Sequence, residues 1–309
     1  MGSRIEAPLR GLKSASLSLG LERNAGIKCC HKIIIGDSRD MRELPDGAVQ
    51  IVVTSPPYVT SNLQKGQPFD YEGYLRMIKQ VFTEVYRVLC PDGRVCLNVA
   101  DIHTKYLYDD RRFYRIPVAH DVLRICLDIG FRLLDTYIWD KGFHRHKGGA
   151  PGPLFGSYPY PPTIYNNVYW EFIFVLIKPG PKRKVPREVK EKSALSQEEW
   201  KEWTRKFWKV ESETEWVKEP PSVFPVEIPY RLIKMYSFIG DTVLDPFLGS
   251  GTTTLAAWLT RRNSIGYEIN PKYVELIKRR TLMNQKTLFE ENDEFEIILR
   301  DDAQEGEWL

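Results

Sequence analysis

Thr242-Val243-Leu244-Asp245-Pro246-Phe247-Leu248-Gly249-Ser250-Gly251-Thr252 is the stretch whose reading decides the fold. A short apolar run ends in an acid, a glycine-containing turn follows, and an apolar helical stretch begins at Thr252. Gly249 and Gly251 let the backbone approach a ligand closely and adopt positive φ. The start of the next helix offers N–H groups with no partner inside the helix. A further strand, 264–268, ends in Glu268, roughly 20 residues on, where nucleotide-binding sheets put the acid that accepts from a ribose. The turn lacks both the complete GxGxxG fingerprint and the lysine of a P-loop, which argues against NAD and ATP.

Outward from that turn, strand-like and helical runs alternate. His31-Lys32-Ile33-Ile34-Ile35 reads as a buried strand ending at Gly36-Asp37-Ser38. Val49-Gln50-Ile51-Val52-Val53-Thr54 reads as a second strand. It runs into Ser55-Pro56-Pro57-Tyr58, which cannot continue a sheet because proline lacks the ladder donor. Tyr74, Leu75, Ile78, Val81, Phe82, Val85 and Leu89 recur at helical spacing, and Pro91-Asp92-Gly93 ends that helix. Strands are expected at 94–99, 131–139 and 169–177, with helices after Pro117, after Pro225 and over 271–283. The alternation predicts an α/β fold with a mainly parallel sheet covered by helices.

Together, Ser55-Pro56-Pro57-Tyr58 and the 245–252 turn resemble the amino-directed DNA methyltransferases that use S-adenosylmethionine. The order, with the Pro-Pro motif first, resembles that family's beta class. The resemblance covers most of 31–285. It implies a Rossmann-like doubly wound methyltransferase sheet with circularly permuted motif order and an inserted target-recognition region. Two motif loops leaving adjacent strands would then open into one crevice, whatever their order in the chain.

Methylating an exocyclic amino group is difficult because the nitrogen lone pair is delocalised into the ring. Acceptors placed around the NH₂ favour a more tetrahedral, nucleophilic nitrogen, so positioning and electrostatics carry the chemistry. Ser55 offers a hydroxyl acceptor, Pro56 a carbonyl held by the stiff Pro56-Pro57 unit, and Tyr58 a face for an extruded base. Asp101, ending the 95–99 run, either orients Ser55 or takes up the released proton through it, or else is a helix cap or a surface carboxylate. The resemblance assigns cofactor contact to Asp37, Phe224, Pro225, Asp245, Phe247, Gly249, Ser250, Gly251, Thr252 and Glu268. Asp37 has helix capping as its alternative. Serine at the first motif position goes, in the family, mostly with N4 of cytosine; adenine N6 is the alternative. No cysteine follows the Pro-Pro pair, which disfavours covalent attack on cytosine carbon 5. A silent DNA-binding protein and an RNA amino methyltransferase are the more distant readings.

The net charge of +3 requires any nucleic-acid surface to come from local clusters. Two lie outside the α/β pattern: His144, Arg145, His146 and Lys147 in a loop over 141–167, and Lys178, Lys182, Arg183, Lys184, Arg187, Lys190 and Lys192 after the 169–177 strand. Ser196 and Glu199 form a capping box for a short helix whose Trp200, Trp203 and Phe207 would share a face, docked on the core or stacked on bases. Loop 60–66 is expected to close over a flipped base. The chain then divides into a flexible tail (1–27), a catalytic half (28–177), a target-recognition insertion (178–222), a cofactor half (223–287) and a peripheral acidic C-terminus (288–309). His144 and His146 lack a third ligand, so no metal is expected. Five cysteines without a CxxC pair, no apolar run of about 18 residues and no signal-peptide core suggest a reduced, intracellular protein; the resemblance implies a cytoplasmic, nucleoid-associated prokaryotic one. Double-stranded DNA is the expected partner and a cognate restriction endonuclease the companion the family implies. The chain would act as a monomer or homodimer.

Overall fold

The structure is a computed structural model that describes residues 27–57, 70–104, 114–141, 170–210, 225–281 and 293–304. Eleven strands and seven helices follow one another among those residues. In chain order they are β1 (Cys30–Ile35), β2 (Val49–Thr54), α1 (Tyr71–Val88), β3 (Leu89–Val99), β4 (Ile102–Thr104), β5 (Tyr114–Ile116), α2 (Val118–Ile129), β6 (Arg132–Asp140) and β7 (Trp170–Ile177). Then come α3 (Arg187–Lys192), α4 (Gln197–Trp203), β8 (Phe207–Lys209), α5 (Glu227–Tyr236), β9 (Thr242–Asp245), α6 (Thr252–Leu259), β10 (Asn263–Glu268), α7 (Val274–Arg280) and β11 (Glu294–Leu299).

Nine strands form one sheet in the order β11-β1-β10-β9-β2-β3-β7-β6-β8, and β4 pairs with β5 apart from it. From β11 to β3 every neighbouring pair is parallel; β7 is antiparallel to both β3 and β6, and β8 runs parallel to β6. The central strands are almost wholly buried, as their continuous Val and Ile runs require when helices cover both faces. One face packs against α1 and α2 through Ile78, Phe82, Val85, Val118 and Val122. The other packs against α5 and α6 through Ile228, Leu232, Leu255 and Trp258, with Trp203 of α4 completing it. Helix α1 starts where the Asp70 carboxylate accepts from the Gly73 N–H at 2.7 Å. Its apolar residues recur every three or four positions and face the sheet.

Several expectations need correction. The C-terminal region is not merely peripheral: 294–299 pairs with β1 along its whole length and forms one edge of the sheet. Strand β3 begins at Leu89, not 94, with a register shift against β2. The final helix is split into a 3₁₀ turn at Pro271–Tyr273 and α7, which ends at Arg280.

The segment after β7 differs most. Because β7 is antiparallel, it delivers the chain to the amino ends of the parallel strands. There the Lys178 ammonium donates to the carbonyls of Tyr86 and Leu89. The Ser196–Glu199 capping box forms as expected. Trp203 and Trp208 are buried in the core, whereas Trp200 and Phe207 stand 62% and 73% exposed, so the expected aromatic face is divided. The described part of the insertion, 178–210, is therefore woven into the fold and ends as a strand at the far edge of the sheet. No helix among the described residues is long and apolar enough to cross a membrane.

Candidate active site

Strands β9 and β2 lie side by side and parallel, with Ile51 opposite Val243 and Val52 opposite Leu244. The chain departs from this pair in opposite directions across the sheet, β2 to β3 on one side and β9 to β10 on the other. This is the topological switch point, where the crevice at the carboxyl ends of the strands takes ligands. Ser55-Pro56-Pro57 leaves β2 at that edge and the 246–251 turn leaves β9 beside it. Ser55 and Pro57 are half-buried and Pro56 is buried.

Asp245 joins the two loops. It is 2% exposed, and both carboxylate oxygens accept from the protein. Oδ1 takes the Thr54 hydroxyl at 2.7 Å and the Phe247 N–H at 3.0 Å, and Oδ2 takes the Thr253 hydroxyl at 2.7 Å. Burial raises its pKa to about 6 against the opposing pull of those hydrogen bonds. Asp245 thus lies beneath the crevice and fastens the turn to the neighbouring strand.

The turn itself is shaped for close approach. Gly249 has φ of +55° and Gly251 of +89°. A Cβ on Gly251 would come within 3.1 Å of Thr281 Cγ2, so space as well as conformation selects glycine there. Phe247, Ser250 and Thr252 are buried around the turn, and Pro225 is buried ahead of α5. Glu268, at the carboxyl end of β10, is 3% exposed. Its Oε2 accepts from the Gly249 N–H at 2.8 Å and its Oε1 from the Asn270 N–H at 2.9 Å. Burial, reinforced by the nearby Asp245 charge, raises its pKa to about 7 despite these bonds.

On the other side of β10, Asp37 follows β1. Its carboxylate accepts from the Arg39 N–H at 2.8 Å and from the Arg39 guanidinium Nε at 2.7 Å. The C-terminal turn closes this flank: the Arg300 N–H bonds the Ile35 carbonyl and the Gln304 N–H bonds the Ile269 carbonyl, both at 2.9 Å. Ser38 Oγ and Asp302 Oδ1 are buried on this flank without a hydrogen-bond partner. The buried Glu268 carboxylate and the glycine turn at the switch point thus fit a nucleoside cofactor.

The remaining predicted residues are distributed unevenly. Asp101 accepts from the Ala119 N–H at 3.2 Å in the first turn of α2 and lies 3.7 Å from His120 Nδ1. Arg183, expected as a nucleic-acid contact, is engaged within the fold. It forms a two-pronged pair with Asp241 at 2.9 and 2.7 Å, and its backbone N–H reaches Asp92. Asp241 precedes β9, so the pair sits at the amino ends of the strands, opposite the crevice. Lys182 and Lys184 flank it in that same segment, and Arg187 is exposed and paired with Glu191. Tyr58, loop 60–66, His144, Arg145, Lys147 and Phe224 lie outside the described residues.

Residues not anticipated from sequence also reach the crevice edge. Thr54 and Thr253 hold Asp245; both lie within the motif stretches that carry the resemblance, but their roles were not read from sequence. Because β7 is antiparallel, its first residues return to the carboxyl edge, where Trp170 and His120 both meet Phe172 edge to face. Lys141, at the end of β6, is paired with buried Glu171 and covers the Trp139 ring.

Comparison with known proteins assigns this arrangement. The family described as DNA methylase, of the N6/N4 amino type, matches residues 49–279, which include both motif loops and Glu268. The chain belongs to the DNA methylase family. It is 34% identical over 290 residues to the Type II methyltransferase M.MjaI of Methanocaldococcus jannaschii, covering 84% of this chain and 93% of that one. It is similar to TTHA0409 from Thermus thermophilus in complex with S-adenosyl-L-methionine, with TM-score 0.69 and 33% identity over 87% of this chain and 99% of that one. The PvuII DNA methyltransferase (cytosine-N4-specific) shares the fold, with TM-score 0.59 and 20% identity over 87% of this chain and 92% of that one. The sheet is therefore the Rossmann-like methyltransferase sheet, and S-adenosyl-L-methionine is the cofactor of this DNA methylase.

Proposed function

We propose that this DNA methylase transfers the methyl group of S-adenosyl-L-methionine to the exocyclic N4 of cytosine, flipped out of a specific double-stranded site. The observation that carries the reading is the bond from Thr54 to Asp245, which sets Ser55-Pro56-Pro57 beside the glycine turn at the switch point. S-adenosyl-L-methionine supplies an electrophilic methyl group on a sulfonium. Glu268 and the glycine turn bind its nucleoside part, and Asp37, Pro225 and Phe224 line the remainder of its site. Ser55 Oγ and the Pro56 carbonyl accept from the target NH₂, drawing its hydrogens out of the ring plane and its lone pair toward the methyl. Tyr58 stacks on the base and replaces the stacking lost on extrusion.

Water has to be kept from the sulfonium, and the buried surroundings of Asp245 and Pro56 serve that purpose on the protein side. His144, Arg145 and Lys147 are the candidate DNA contacts, and Lys182, Lys184 and Arg187 could reach only DNA that wraps to the opposite edge. A restriction endonuclease of the same specificity is the natural companion of such an enzyme. Incubating the protein with unmethylated plasmid DNA and the cofactor, then digesting to nucleosides for mass spectrometry, tests the reading. N4-methylcytosine is expected, and N6-methyladenine would overturn the base assignment while keeping the family.

A further inference from the structure

We infer that Thr54 is a positioning residue for methyl transfer: its hydroxyl, bound to Asp245, is a latch that fixes the catalytic loop against the cofactor turn. This rests on the proposed reading of Ser55-Pro56-Pro57 as the acceptor loop. The register between β2 and β9 runs through Ile51 with Val243 and Val52 with Leu244. Beyond it the two chains must part, because they lead to different loops. Main-chain rungs are there replaced by side-chain bonds: Thr54 Oγ1 to Asp245 Oδ1 at 2.7 Å, and Thr253 Oγ1 to Asp245 Oδ2 at 2.7 Å and to the Val53 carbonyl at 3.4 Å. Thr54 is fully buried, so water does not substitute for Asp245 on its hydroxyl.

The consequence is geometric. Ser55 is the next residue along the chain, and the turn that begins at Pro246 is the next residue beyond Asp245. Neighbouring strands are about 4.8 Å apart, so a rigid link between their ends fixes the separation of acceptor and donor loops to a fraction of that distance. In-line transfer is sensitive to such separations, and a misplacement of about 1 Å costs roughly 100-fold in rate. A hydroxyl is required at 54. Valine has the same shape but leaves Asp245 Oδ1 with the Phe247 N–H alone. Serine keeps the bond and loses only a methyl group.

The test compares Thr54→Val and Thr54→Ser with the wild-type enzyme. Single-turnover methyl transfer to unmethylated plasmid DNA is measured alongside cofactor and DNA dissociation constants and thermal melting. For Thr54→Val, the rate is expected to fall roughly 10- to 100-fold. Both dissociation constants should stay within about threefold, and Thr54→Ser should recover most of the rate. A Thr54→Val rate within about threefold of wild type overturns the inference, as does a loss fully accounted for by weaker cofactor binding or lower melting. A wild-type enzyme that transfers no methyl group to DNA overturns the reading beneath it instead.

Discussion

Replacing Glu268 by glutamine separates the carboxylate's proposed role in cofactor binding from its cost to the fold. Glu268 is buried, and its pKa is raised to about 7 from an ordinary 4.5. The folded protein therefore holds this proton to higher pH than the unfolded chain does. Between those values the unfolded state binds fewer protons, so stability falls as pH rises across the window. The contribution is fully present below about 4.5 and lost above about 7. The shift corresponds to about 3 kcal/mol of penalty on the ionised form. Glutamine resembles the neutral acid and carries no such penalty, although its NH₂ must face either the Gly249 or the Asn270 N–H. That local cost is the same at every pH and cancels in a difference. Urea denaturation of cofactor-free wild type and Glu268→Gln at pH 5 and pH 8 should show the variant gaining about 2–3 kcal/mol relative to wild type between the two. Cofactor affinity should meanwhile fall roughly 10- to 100-fold at pH 8, because the charged acceptor proposed for the ribose hydroxyls is gone. An equal stability difference at both pH values would refute the argument that burial dominates this site.

Two further outcomes follow from the same geometry. Gly251→Ala places a Cβ at φ of +89° and 3.1 Å from Thr281 Cγ2. We expect a loss of about 1–2 kcal/mol in denaturation and weaker cofactor binding by calorimetry. Arg183→Met breaks the two-pronged pair with Asp241, in which Arg183 is 25% exposed, and should cost about 1–2 kcal/mol. DNA affinity in a gel-shift titration should stay within about twofold of wild type, since that pair faces away from the crevice.

The parts of the fold that were legible in sequence are those whose burial is local in pattern. Runs such as Ile33-Ile34-Ile35 and Ile51-Val52-Val53 announce strands covered on both faces, and the three-to-four spacing of α1 announces a helix on one of them. The glycine turn and Glu268 could be read because their spacing is fixed by one strand-turn-helix-strand unit. Edge strands were not legible. β8 is three residues long and exists because Trp208 buries itself and its neighbours pair with β6. β11 alternates acids with Phe295, Ile297 and Ile298, a half-exposed edge pattern submerged in an acidic tail.

The pairings of the charge cluster after β7 were not legible for a related reason. Lys178 and Arg183 look like solvated cations until the antiparallel turn of β7 brings them to Tyr86, Leu89 and Asp241, up to 92 residues away. Nothing in the local sequence encodes such pairings. The adjacency of β2 and β9 is equally non-local, but the resemblance to a known family supplied it, and the Thr54–Asp245 bond gives its atomic basis.

The most direct test of the account is Ser55→Ala, assayed with labelled S-adenosyl-L-methionine for both cofactor binding and methyl transfer to unmethylated DNA. The predicted result is cofactor affinity within about twofold of wild type with transfer reduced at least roughly 100-fold, because in the proposed function Ser55 touches the acceptor amine and not the cofactor. Transfer at the wild-type rate would contradict the account by showing that the loop leaving β2 is not where the amino group is held.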